Sequence, residues 1–150
     1  MLTYEREDGL YENGKRCAIE HEELHMMEML GKPIKSDMKL LDIGCGSGEI
    51  SGALKDRGYM PYGLDFSSKA IEIATKAGLE CERADLDEGI PLNDKEFDIV
   101  WAGDVMEHVF DPIGVFGEIH RVLVDQGELY ATIPYDLNYK VRIKTLLGRS

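Results

Sequence analysis

Four stretches of this 150-residue chain carry residue types spaced for chemistry. The first is Leu40-Leu41-Asp42-Ile43-Gly44-Cys45-Gly46-Ser47-Gly48-Glu49. An apolar run leads into glycines at alternate positions, which let backbone pass close to a ligand and turn sharply into a helix. A helix begun there offers unpaired N–H groups and a positive dipole end to anionic or polar atoms. The spacing is G-x-G-x-G, and Glu49 stands where a dinucleotide loop needs its last glycine. A carboxylate there repels a pyrophosphate, so a nicotinamide oxidoreductase is disfavoured. The second and third stretches end in acidic residues, Asp65 in Gly63-Leu64-Asp65-Phe66-Ser67 and Asp85 in Arg83-Ala84-Asp85-Leu86. The fourth is Glu107-His108, where the imidazole is suited to taking a proton near neutral pH.

A fifth pattern, His21-Glu22-Glu23-Leu24-His25, has the spacing of a zinc hydrolase helix, with two histidines four apart on one face. The charged Glu23 between them and the lack of a third ligand nearby weigh against zinc. The histidines are expected on the solvent side of an amphipathic helix, and no metal is expected. Met26, Met27, Met29 and Leu30 are expected to pack against the domain or line the ligand pocket.

The elements that must hold these residues alternate between strand and helix. Hydrophobic spacing predicts a helix over 18–30, a strand over 40–43, a helix over 47–57 and a strand over 60–64. Ser67 or Ser68 caps a helix that Gly78 ends, followed by a weaker strand over 79–83. A strand over 97–102 comes next, then a helix opened by Asp111-Pro112 that buries Phe116, Ile119 and Leu123. Gly127 opens the last strand, 128–133, which Pro134 closes. Such alternation means an α/β fold, a mostly parallel sheet with helices on both faces. Ligands of doubly wound sheets lie beyond the carboxyl ends of the strands, where the strand order reverses. The glycine loop follows the first strand of the pattern and is placed there.

Over residues 38–148 the chain resembles the class I S-adenosylmethionine-dependent methyltransferases. The glycine loop, Asp65, Asp85, the Phe97-Asp98-Ile99-Val100 strand running into Glu107-His108-Val109, and Arg121-Val122-Leu123 through Gly127-Glu128-Leu129 follow that family's order and spacing. The resemblance implies a Rossmann-like sheet of order 3-2-1-4-5, lacking the usual sixth and seventh strands, and one cofactor-binding domain over 1–150, shortened at its C-terminus. It implies S-adenosyl-L-methionine as cofactor, contacted by Asp42, Gly44, Cys45, Gly46, Asp65, Phe66, Asp85, Leu86 and Gly103. The loop would wrap the methionine end, Asp65 would accept from both ribose hydroxyls, and Asp85 would accept from the adenine amino group. Two acceptor oxygens suit a vicinal diol. Glu107 and His108 are the expected catalytic residues, His108 as general base, on an Glu-His-Val segment resembling small-molecule methyltransferases. The Ala102-Gly103-Asp104-Val105-Met106 segment lacks the Asn/Asp-Pro-Pro-aromatic pattern of amide and adenine-amino methylation. A small-molecule acceptor is therefore expected, with a non-catalytic S-adenosylmethionine-binding module as the alternative.

Charge and composition narrow the partners. Lys and Arg total 17 against 29 Asp and Glu, a net charge of −12, which disfavours phosphate-neutralising contact with nucleic acid. Three cysteines, Cys17, Cys45 and Cys81, form no Cys-x-x-Cys pair and are expected as reduced thiols in a cytoplasmic protein. No apolar run approaches the roughly 18 residues of a membrane span. With Leu129, Ala131 and Ile133 on a fifth-strand edge, either a homodimer or another chain segment is expected to cover that edge.

Overall fold

The computed structural model describes residues 21–133 and 141–146, with side chains from Glu23 to Thr132. Helix α1 (His21–Leu30) precedes strand β1 (Lys39–Ile43), then α2 (Glu49–Asp56), β2 (Met60–Asp65), α3 (Ser68–Lys76) and β3 (Glu80–Arg83). Strand β4 (Phe97–Ala102), α4 (Pro112–Val122), β5 (Leu123–Ile133) and β6 (Val141–Leu146) follow, with one-turn 3-10 helices at Leu86–Glu88 and Met106–His108. The sheet order is β3-β2-β1-β4-β5-β6, and the first five strands are parallel, as expected.

Two expectations need correction at the far edge. A sixth strand exists: β6 pairs antiparallel with β5, from Ile133 against Val141 to Glu128 against Leu146. The β5 edge is therefore covered by a segment of the same chain, which removes the reason for a homodimer through that edge. Strand β5 also begins earlier than Gly127, because Leu123 pairs with Phe97 before the register shifts and Ile99 meets Glu128. Gln126 at φ 66° makes that irregularity. A Cβ on Gly127 would lie 3.0 Å from the Val124 carbonyl and 3.2 Å from that of Asp98, so the bulge needs glycine there. Leu123 is buried as a strand residue, while α4 buries Val115, Ile119 and Val122 and leaves Phe116 half-buried.

Alternation along the strands divides the core between the two faces. Leu41, Ile43, Val100, Ala102, Leu129 and Ala131 face α4 and its Val115, Ile119 and Val122. Leu40, Ile99, Trp101 and Tyr130 face the other way, against Met26 and Met27 of α1 and Ile50 and Leu54 of α2. The methionine pair is thus core, and Met29 is exposed. Capping follows the sequence: Ser67 accepts from the Ala70 N–H at 3.2 Å, and Asp111 accepts from the Gly114 N–H at 3.0 Å.

Arg121, at the end of α4, ties the loop before β4 to the domain. Its guanidinium donates to the carbonyls of Leu92 and Ile90, each at 2.8 Å, and to Asp94 and Glu118, each at 2.7 Å. That guanidinium, helped by the Ile90 N–H, holds the Glu118 carboxyl down at about 2. A carboxylate depressed in the folded state stabilises above its unfolded value and loses that contribution as pH falls through the folded one. Glu118 is about a third exposed, so solvent screening limits the effect to about 1 kcal/mol. Urea unfolding of wild type and Glu118→Gln between pH 5 and pH 2 should show the wild type losing that much more stability. Among the described residues no helix is long and apolar enough to cross a membrane.

Candidate functional site

The glycine loop is built by backbone that only glycine adopts easily: Gly44, Gly46 and Gly48 have φ of 73°, 56° and 91°. The turn is stitched to β2, where the Leu64 carbonyl accepts from the N–H groups of Gly44 (2.7 Å) and Cys45 (3.0 Å). One residue on, Asp65 completes the tie. Its Oδ2 accepts from the Gly46 N–H and its Oδ1 from the Ser67 N–H, both at 2.8 Å. A single half-buried carboxylate thus fixes the glycine loop and the start of α3 together.

Asp42 and Cys45 act on the same loop from within. Asp42 is buried, and its Oδ2 accepts from the Ser51 hydroxyl of α2 at 2.6 Å. The Cys45 side chain packs against β2, since a Cβ on Gly63 would come within 2.6 Å of its Sγ. Burial pushes its thiol well above the ordinary range, so it stays neutral. Its backbone is engaged as well, the N–H donating to the Leu64 carbonyl and the carbonyl accepting from the Gly48 N–H, each at 3.0 Å.

At the end of β3, Asp85 caps the short turn at Leu86–Glu88 by accepting from the Asp87 N–H at 3.0 Å. Leu86 is half-buried against the core. Phe66 lies under the Arg83 guanidinium, 4.8 Å from the ring centroid, and its carbonyl accepts from Arg83 Nε at 2.9 Å.

Beyond β4, Gly103 sits between Trp101 and α1. A Cβ there would lie 2.9 Å from Trp101 Nε1 and 3.4 Å from Oε1 of Glu23, a carboxylate only 4% exposed. A Cβ on Gly44 would in turn lie 2.9 Å from Val105 Cγ2. The glycine loop and the segment after β4 therefore touch. That segment ends in the turn Met106–His108, anchored by buried Met106, with Glu107 and His108 exposed and the His108 N–H donating to the Val105 carbonyl at 3.0 Å.

A family model described as a methyltransferase domain matches residues 41–131. This chain belongs to that family. It is a class I S-adenosylmethionine-dependent methyltransferase domain by sequence motifs, sheet order and this match. A ubiquinone biosynthesis O-methyltransferase of Pseudomonas syringae pv. tomato is 32% identical over 101 residues, 61% of this chain and 42% of that protein. One from Haemophilus ducreyi is 28% identical over 102 residues, 61% of this chain and 43% of that protein. The chain thus spans about two-fifths of the curated relatives it matches. Among solved structures, a SAM-dependent methyltransferase from Methanosarcina mazei shares 30% identity at TM-score 0.61, over 66% of this chain and 53% of that one. A putative S-adenosyl-L-methionine-dependent methyltransferase from Methanococcus maripaludis shares 25% identity at TM-score 0.65, over 73% and 53%.

Within this methyltransferase domain, several supporting residues escape motif reading. Asp87 is an exposed carboxylate whose oxygens accept from the Phe110 N–H (2.8 and 3.1 Å) and the Asp111 N–H (3.0 Å). It joins the turn after β3 to the loop after β4. Asp104 is a non-glycine residue at φ 50°. Thr132 of β5, fully buried, accepts from the Asp104 N–H at 2.6 Å and donates to its Oδ1 at 2.8 Å. The His25 side chain is half-exposed and lies 3.6 Å from Glu28, whereas the His21 side chain lies outside the described residues. No group of three metal-binding side chains occurs among the described residues.

Proposed function

We propose that this domain holds S-adenosylmethionine across the carboxyl ends of β1, β2 and β3 and passes its methyl group to a small-molecule acceptor. The observation that carries this is the Asp65 carboxylate, which joins the glycine loop to the start of α3. Each carboxylate oxygen accepts more than one hydrogen bond, so backbone ties leave acceptor capacity for a ribose diol. Asp85 stands two residues past Arg83, the register partner of Asp65, and suits the adenine amino group. Phe66 and Leu86 supply apolar walls, and Gly44, Cys45, Gly46 and Gly103 let backbone approach. Asp42 braces the loop through Ser51. The residues present fit the cofactor: a Cβ at Gly44 would press on Val105 and one at Gly103 on Trp101 and Glu23, so glycine at both keeps the loop and the end of β4 in the close approach that the site needs.

When bound, S-adenosylmethionine supplies a methyl group on a cationic sulfur, open to in-line displacement. The chain's own task is to align the acceptor and shield it from water. For an acceptor protonated at neutral pH, His108 takes the proton and Glu107 orders the loop that carries it. The names of the relatives and the net charge of −12 support a small molecule over nucleic acid.

Calorimetric titration with S-adenosylmethionine and S-adenosylhomocysteine, followed by labelled-methyl transfer to phenols, sugars and carboxylates, tests this reading. Binding of neither ligand overturns it. With an acceptor in hand, His108→Gln should lower kcat by about a hundredfold, leaving S-adenosylhomocysteine affinity within twofold. An unchanged kcat would remove His108 from proton transfer.

A further inference from the structure

Glu49 opens α2 directly after the glycine loop, and its two carboxylate oxygens have unlike surroundings. Oε1 accepts from the Ser47 hydroxyl at 2.6 Å, which folds the side chain back over the loop. Oε2 is shut off from solvent and meets no hydrogen-bond donor among the described residues. Buried polar atoms in folded proteins are nearly always paired, and an exception calls for a specific reason. A first-turn carboxylate gains from the helix dipole, but that gain would be equal with Oε2 in water.

Accepting the cofactor reading above, we propose that Glu49 Oε2 receives the α-ammonium group of S-adenosylmethionine. The chemistry selects that group. An orphaned carboxylate oxygen calls for a donor that also carries positive charge. The cofactor has two cationic centres, and the sulfonium has no hydrogen to donate. The ribose hydroxyls are neutral donors on the far side of the sulfur, where Asp65 and the start of α3 stand. The cofactor's own carboxylate would be repelled. Glu49 begins α2 where the β1–α2 loop ends, on the side the family resemblance gives to the methionine end. The same charge that excludes a pyrophosphate from this loop thereby becomes the feature that recognises an amino acid.

The test uses the whole chain and three ligands in calorimetry: S-adenosylhomocysteine, its analogue with the amino group replaced by hydrogen, and its analogue lacking the carboxylate. The wild type should bind the desamino analogue at least tenfold more weakly than S-adenosylhomocysteine. Glu49→Gln should lose at least tenfold for S-adenosylhomocysteine and for the decarboxylated analogue, and stay within twofold for the desamino analogue. Equal losses across all three ligands would mean that Glu49 only shapes the loop, and would overturn the proposal. So would wild-type protein that binds the desamino analogue as tightly as the parent, a comparison that needs no variant to fold. Failure of the wild type to bind any of the three defeats the cofactor reading itself, a distinct result.

Discussion

Asp65→Ala should weaken S-adenosylhomocysteine binding about a thousandfold, the largest loss expected of any single substitution in this domain. Two effects combine. The ribose end of the ligand loses a charged acceptor, and hydrogen bonds to charged groups contribute about 1.5–3 kcal/mol each. The Gly46 and Ser67 N–H groups also lose the carboxylate that holds them, so the glycine loop and the start of α3 are no longer fixed together. Together these amount to about 4 kcal/mol. Asp65→Asn keeps one carbonyl oxygen and should fall between, with about a tenfold to hundredfold loss. Asp85→Ala removes a carboxylate whose Asp87 N–H partner lies within its own turn, and should cost less than Asp65→Ala. Thermal unfolding without ligand separates the two contributions of Asp65, because only the loss of the loop tie lowers the unliganded midpoint. Wild-type affinity in Asp65→Ala would remove the end of β2 from the cofactor site.

What was legible in the sequence depended on how far each feature reaches along the chain. Leu40 to Ile43 reads as a buried central strand because all four residues are apolar or, like Asp42, held inside by a nearby partner nine residues on. The same locality made the Asp65 and Asp85 ends of β2 and β3 visible. Strand β6 alternates Val141-Arg142-Ile143-Lys144, a period-two signal, but so short an alternation does not say what it pairs with, and only β5 as neighbour makes it a strand. The early start of β5 needs the Phe97–Leu123 pairing, which no local pattern announces. Asp87 and Thr132 are invisible for a related reason. Their partners, Phe110 and Asp104, lie 23 and 28 residues away, and their residue types are ordinary. Glu23 looks like a solvent-facing charge within an amphipathic helix, yet the fold places it against Gly103.

Two glycines of α2 and its approach should respond to alanine with opposite signs. Gly48 is the N-cap of α2 at φ 91° and ψ 19°, a conformation that costs an L-residue about 1–2 kcal/mol. Its added Cβ would also lie 2.2 Å from Leu79 Cδ1 and 3.3 Å from the Ala74 Cβ. Leu79 can swing its far end, whereas Ala74 is fixed on α3, so overpacking adds about 1–3 kcal/mol. Gly48→Ala should therefore destabilise by about 2–5 kcal/mol in urea unfolding. In a Leu79→Ala background the same change should cost at least about 1 kcal/mol less, since the clash is relieved and the backbone strain stays. Gly52 lies four residues on, inside the helix, with nothing within 4 Å of an added Cβ and no positive φ. Gly52→Ala should stabilise by about 0.5–1 kcal/mol through helix propensity alone. If Gly48→Ala were as mild as Gly52→Ala, the close approach of loop to α3 would not be what demands glycine. With both signs as stated, the last glycine of the loop is kept for how α2 packs beside α3, and the placement of Glu49 follows from that packing.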